Sequence, residues 1–264
     1  MRCGGAGLAA AAKPAPPHLI PVWLGFMPKL RTKKALPDWR AVCRQGAEKQ
    51  AAAESRKLWK VSSSKAIPFA HRWEHVQSVV STALWLARAT GADAEVVEAA
   101  AWLHDIRKGS PGHGVNGARE AKRILQGTDF PPEKVPAVVD AIARHVGLYR
   151  PPDAPPLTPL ETAILWDADK LTKLGVGALA YSLSMNFMRG LTLPQRRSNM
   201  LEFTQSVLVR TVQSMNTPPA QQEAAQRYAA MIEVLQIWRR EQELNEEQQN
   251  EISSDYPGLS EEQG

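Results

Sequence analysis

The chain has 264 residues, 44% of them hydrophobic, enough to bury one sizeable core in a single main domain. Its formal charge of +5 is uneven: residues 1–60 hold 12 Lys/Arg against 3 Asp/Glu (+9), leaving 20 against 24 (−4) for the remainder. Two cysteines, Cys3 and Cys43, are too few for a disulfide framework and lack metal-ligand spacing, and no apolar run approaches the ~20 residues that cross a bilayer, so a soluble, cytoplasmic protein is expected.

Residues 1–36 form a basic leader without aromatic or RGG-type interleaving, which argues for a disordered extension rather than a nucleic-acid-binding arm. Met27, in Phe26-Met-Pro-Lys, is an alternative start, and the acid-free opening with Arg2 and Lys13 faintly resembles a transit peptide. A helical domain is expected over 37–250. Residues 39–60, rich in Ala, Lys and Glu with no interior Pro, form its first helix, with a solvated basic face. The next, 73–90, carries an apolar stripe at Val76, Val79, Val80, Ala83, Leu84 and Leu86 and ends at Gly91. Asp93 then caps a helix over 94–106. Further helices are expected at 115–126, 135–146, 159–172, 175–188, 193–215 and 219–250, with proline pairs at 131–132, 151–152 and 155–156 marking loops. No segment alternates with period two, so the fold class is all-α, a helical bundle. The segments around Leu208 and Leu235 pack either on their own domain or on a partner, so the oligomeric state is open. The acidic tail, 251–264, reads as disordered.

Chemistry-bearing residues fall between these elements. Arg72 and His75 are three apart and share a helix face. His104 and Asp105 end the apolar run Ala99-Ala-Ala-Trp-Leu-His-Asp, about 100° apart on a helix and able to reach one ion. An aspartate at the end of so apolar a helix is costly unless its charge is compensated, and a divalent metal would do so. Asp167 and Asp169 lie about 200° apart on their helix, so at most one faces the same ion as His104, and the spacing does not choose between them.

The set His75, His104-Asp105 and Asp169 resembles the H…HD…D signature of the HD-domain metal-dependent phosphohydrolases. Arg72-Trp-Glu-His75 is similar to the R-[FY]-E-H of several members, including deoxynucleotide triphosphohydrolases, with Trp73 departing from the usual ring. His104-Asp-Ile-Arg-Lys108 is similar to H-D-I-x-K, and Asp167-Ala-Asp-Lys-Leu171 to the segment carrying the final aspartate. The likeness runs from about residue 72 to 174. A weaker one continues through Met215-Asn-Thr-Pro, Arg227 and Met231, similar to the C-terminal helices of small bacterial HD hydrolases of the pyrophosphohydrolase type.

The resemblance implies an HD-domain bundle in which His75, His104, Asp105 and Asp169, rather than Asp167, hold the metal. His113 and His145 resemble the extra histidines of bimetallic members, although the loop from Asp105 to His113 is short; otherwise they contact substrate phosphate or shuttle a proton. It implies one or two divalent ions per chain, Mn2+ first and Co2+, Ni2+, Fe2+, Mg2+ or Zn2+ as alternatives. Asp105 serves catalysis, with Arg72, Lys108 and Lys170 holding phosphate oxygens. The expected substrate is a nucleotide or other small phosphorylated metabolite; membrane and nucleic-acid partners are not expected. Trp73, Trp102, Trp166 and Tyr149, near the ligands in sequence, are either core aromatics or platforms for a base. Two other readings remain, a non-catalytic nucleotide-binding sensor and a di-iron HD-type oxygenase.

Overall fold

In the computed structural model the described residues are 35–255, so the readings on 1–34, including Cys3 and Met27, and on 256–264 lie outside them. Asp38 caps α1 (Trp39–Trp59) by accepting from the Ala41 N–H at 3.0 Å. Every fourth residue of α1 is buried, Trp39, Cys43, Ala47, Ala51 and Ser55. Small side chains along this stripe let the helix lie close on its neighbours. Trp39 fixes the helix start, its N–H donating to Asp129 at 2.8 Å and its ring meeting Phe130 edge-on at 5.1 Å. Cys43 is therefore a core thiol, its pKa pushed up to about 12 by burial and then by Glu98 and Asp38.

Helix α2 (His71–Thr90) buries Val76, Val79, Val80, Ala83, Leu86 and Ala87 and stops at Gly91, whose φ of 76° suits a left-handed cap. Asp93 caps α3 (Ala94–Leu103) through the Glu95 and Val96 N–H groups, as expected. This helix ends three residues short of the expected Ile106, because the chain tightens into turns from Leu103 to Ile106 and from Asp105 to Lys108. His104 and Asp105 thus sit just past the helix. Helix α4 (His113–Leu125) begins at His113 and crosses α5 (Val135–Arg144) closely. A Cβ on Gly114 would come within 2.5 Å of Val146 and 2.9 Å of the Ala143 carbonyl, so only glycine permits the crossing that sets His113 beside His145.

The central helix is α6 (Leu160–Leu171), buried from Thr162 onward and packed on α2, α3 and α5. After it, α7 (Val176–Ser184) is shorter than expected and gives way to a 3-10 turn at Asn186–Met188. The single helix expected over 193–215 is broken into α8 (Leu193–Phe203), a π segment (Thr204–Leu208) and α9 (Val209–Gln213). Helix α10 (Pro218–Asp255) runs past 250, so residues 251–255, read as tail, are helical. Leu208 and Leu235 are buried in the chain's own core. The described residues contain no strand, and none of their helices is long and apolar enough to cross a membrane.

A buried carboxylate ties α10 to α6. Asp167 accepts from the Asn216 backbone N–H and side-chain amide on one oxygen and from the Thr217 N–H and hydroxyl on the other, each at 2.8 Å. Burial pushes its pKa up against the pull of these donors. Asn216 in turn accepts from the Leu157 N–H and Arg150. Asp167→Ala should therefore lower unfolding free energy by about 3 kcal/mol, since buried donors lose their acceptor. Urea denaturation checks this, and a loss under about 1 kcal/mol would contradict the anchoring role.

Candidate metal centre

The ends of five helices bring the site together. His75 lies one turn into α2; His104 and Asp105 follow α3; His113 opens α4; His145 caps α5; Asp169 is near the end of α6. His104 Nδ1 lies 2.7 Å from the Ala101 carbonyl and His145 Nδ1 lies 2.6 Å from that of Ile142. A carbonyl only accepts, so in both rings Nδ1 carries the proton and Nε2 keeps a free lone pair. Thr172 donates to the Asp169 carbonyl at 2.6 Å, and His75 Nδ1 lies 3.1 Å from its hydroxyl oxygen and 3.3 Å from the Lys173 ammonium, which leaves Nε2 on the side of Asp169 and His104.

The Nε2 atoms of His75 and His104 face one another. His75 Nε2 and His104 Nε2 are 3.3 Å apart, and Asp169 Oδ1 is 3.3 Å from His75 Nε2. Two nitrogens ~2.0–2.1 Å from one ion at a tetrahedral angle would stand ~3.3–3.4 Å apart. Asp105 lies alongside, Oδ2 at 3.6 Å from His104 Nε2 and 3.8 Å from His75 Nε2, and Oδ1 at 3.6 Å from His145 Nε2. Two groups able to hold a metal result, His75/His104/Asp169 and Asp105/His113/His145, each with ligand atoms within 4.8 Å of one another. Asp105 Oδ2 and His145 Nε2 are buried without a hydrogen-bond partner, as acceptors awaiting a cation would be.

Charge states suit the same purpose. Burial holds the His75 pKa down to about 3, helped by Lys173, and also lowers those of His104 and His113. Burial works to raise Asp105, but His104, His145 and Lys108 outweigh it and hold the carboxyl well below its usual range. Lys170, Lys173 and His75 do the same for Asp169. Neutral imidazoles beside ionised carboxylates are the forms that bind metal.

The expected ligands and cations Arg72, His75, His104, Asp105, Lys108, His113, His145, Asp169 and Lys170 converge here, but Lys170 does not face an open side. Its ammonium donates to the His145 carbonyl at 2.8 Å, pairs with the Asp169 carboxylate, and its side chain is 3% exposed. The cation that lines the cleft is Lys173, 3.6 Å from Asp169 Oδ1 and half-buried, its pKa lowered by that burial against the pull of Asp169. Its i, i+4 spacing from Asp169 is a signal the sequence reading missed. Lys108 reaches Asp105 Oδ1 at 3.2 Å. Arg72 stands between Asp105, at 3.8 Å, and Glu54 of α1, at 3.5 Å. No sequence pattern marks Glu54, which comes from a separate helix.

Beside His75 opens a cleft of about 970 Å³, lined by Arg72, Thr172 and Lys173 among others. Its rings are not the tryptophans and tyrosine that the sequence singled out. Trp73 stacks on Trp102, Trp166 is buried, and Tyr149 lies under Arg210, whereas Phe69, His71 and Tyr181 line the cleft.

The family profile described as HD domain matches residues 72–174. That stretch of the chain is similar to an HD domain. Solved structures resemble most of the chain: an HD-superfamily hydrolase from Bacillus thuringiensis, 22% identical over 76% of this chain and 98% of that one, has a TM-score of 0.53. A Lactobacillus plantarum protein (22%, covering 78% and 97%) gives 0.56, and the Lin1889 protein of Listeria innocua (16%, covering 77% and 97%) gives 0.52. Among curated proteins the sequence finds no match. The bundle therefore shares the fold of these bacterial proteins, and the His/Asp groups described above lie within the residues that match the HD profile.

The depressed His75 pKa gives a pH dependence. In the unfolded chain His75 protonates near 6.5, in the folded metal-free protein only near 3, so the unfolded state binds the extra proton and stability falls as pH drops from 6.5 toward 3. Between pH 7 and 5, in chelator, the wild type should lose about 2 kcal/mol more unfolding free energy than His75→Gln. Equal losses would contradict the buried neutral imidazole.

Proposed function

We propose that the chain is a divalent-metal-dependent phosphohydrolase that cleaves an ester or anhydride bond of a small phosphorylated substrate, with a nucleotide as the preferred class. The observation that carries this reading is the Asp105 carboxylate, ionised, partly unpartnered and set between two histidine-bearing ligand groups. His75, His104 and Asp169 would hold one ion and His113 and His145 a second, with one Asp105 oxygen toward each. The mixed imidazole and carboxylate donors suit Mn2+ first, then Co2+, Ni2+, Fe2+, Mg2+ or Zn2+. Such an ion supplies Lewis acidity, lowering the pKa of water toward ~7 and offsetting phosphoryl charge.

The chain's own groups do the rest. Arg72, Lys108 and Lys173 border the carboxylates from the open side, so their charges meet the phosphate oxygens, Arg72 as a planar fork and the lysines as point charges. Glu54 orients the Arg72 guanidinium. Lys170 is a positioning residue, holding the Asp169 carboxylate and the end of α5 that carries His145.

Phosphate and pyrophosphate release by metal-stripped protein, with each metal added back across nucleotides and phosphorylated metabolites, tests the reading. Turnover should require metal and fall at least about 1,000-fold in Asp105→Ala, while Lys173→Ala should raise KM several-fold. Turnover surviving in Asp105→Ala, or silence across the panel with metal bound, would refute it.

A further inference from the structure

We propose that Phe69, His71 and Tyr181 form a nucleobase subsite in the cleft, an inference that rests on the phosphohydrolase reading for the placement of the phosphates. His71 precedes His75 by one turn of α2, on the same face, about 6 Å along the axis. His75 enters the metal centre, whereas His71 lines the cleft. The His71 residue is 4% exposed; its Nδ1 lies 3.4 Å from the Phe69 carbonyl and its Nε2 has no hydrogen-bond partner. Nδ1–H donating to that carbonyl leaves Nε2 as a bare buried acceptor, which costs about 1–3 kcal/mol unless a donor arrives.

Its neighbours are flat. The His71 and Tyr181 rings lie 5.2 Å apart and tilted by 34°, with Phe69 at 5.9 Å from His71 and 6.2 Å from Tyr181. Aromatic faces around a single acceptor recognise a planar heterocycle bearing an N–H donor, which is a nucleobase and not a sugar phosphate. Tyr181 is half-buried on α7 and is the side chain that turns to admit the ring. Arg72 and Lys173 line the same cleft, so base, sugar and phosphate follow the order His71, Arg72, His75 along α2.

Calorimetric binding to the full metal-loaded chain compares AMP, GMP, CMP and UMP with ribose 5-phosphate, in wild type, His71→Phe and Tyr181→Ala. At least one nucleotide should bind about tenfold tighter than ribose 5-phosphate, and that preference should fall about tenfold in both variants. Saturation-transfer NMR on the wild type should show the base protons in closest contact, a readout that needs no variant. Equal wild-type affinities, equal loss of both ligands in the variants, or base protons free of contact would each overturn the subsite. Binding is read without turnover, so an absence of phosphate release would overturn the hydrolase reading alone.

Discussion

Two carboxylates and four imidazoles meet at largely buried positions, and the fold must compensate their crowding. Leaving Asp105 and Asp169 ionised at such burial would be prohibitive without cations close by. Lys170 answers for Asp169 from within, Lys173 from the cleft, and Lys108 and Arg72 answer for Asp105. The orphaned Asp105 Oδ2 and His145 Nε2 show that these protein cations do not complete the compensation.

Helix termination positions the ligands. His104 and His145 are the capping residues of α3 and α5, and each satisfies a carbonyl of its own helix that has no partner farther along. The same bond fixes the tautomer and aims Nε2 at the cluster. α6 divides its two aspartates in a similar way. Asp169 faces the metal centre, and Asp167, on the other side of the helix, holds the start of α10 through four donors.

Features that follow from local spacing were legible in the sequence, the helix caps Asp93 and Gly91 and the apolar stripe of α2, whereas the set of His75, His104, Asp105 and Asp169 came from resemblance, and the structure brings these side chains together. The choice of Asp169 over Asp167 came from resemblance, since 200° of separation says only that they differ. The assignment of phosphate contact to Lys170 failed because its neighbour Asp169 draws it inward, whereas Lys173, one turn on, shares a face with Asp169 and stays accessible. Glu54 and Tyr181 were invisible because they arrive from other helices, through tertiary packing alone. The break at Thr204–Leu208 was missed since apolar periodicity does not distinguish a π segment from an α-helix.

The central claim is that Asp105 serves two ligand groups at once. Anomalous diffraction from crystals of the full chain grown with Mn2+ tests it most directly. The account predicts two peaks, one beside His75, His104 and Asp169 and one beside His113 and His145, with Asp105 contacting both. A single peak that leaves His113 and His145 bare, or none near Asp105, would contradict it.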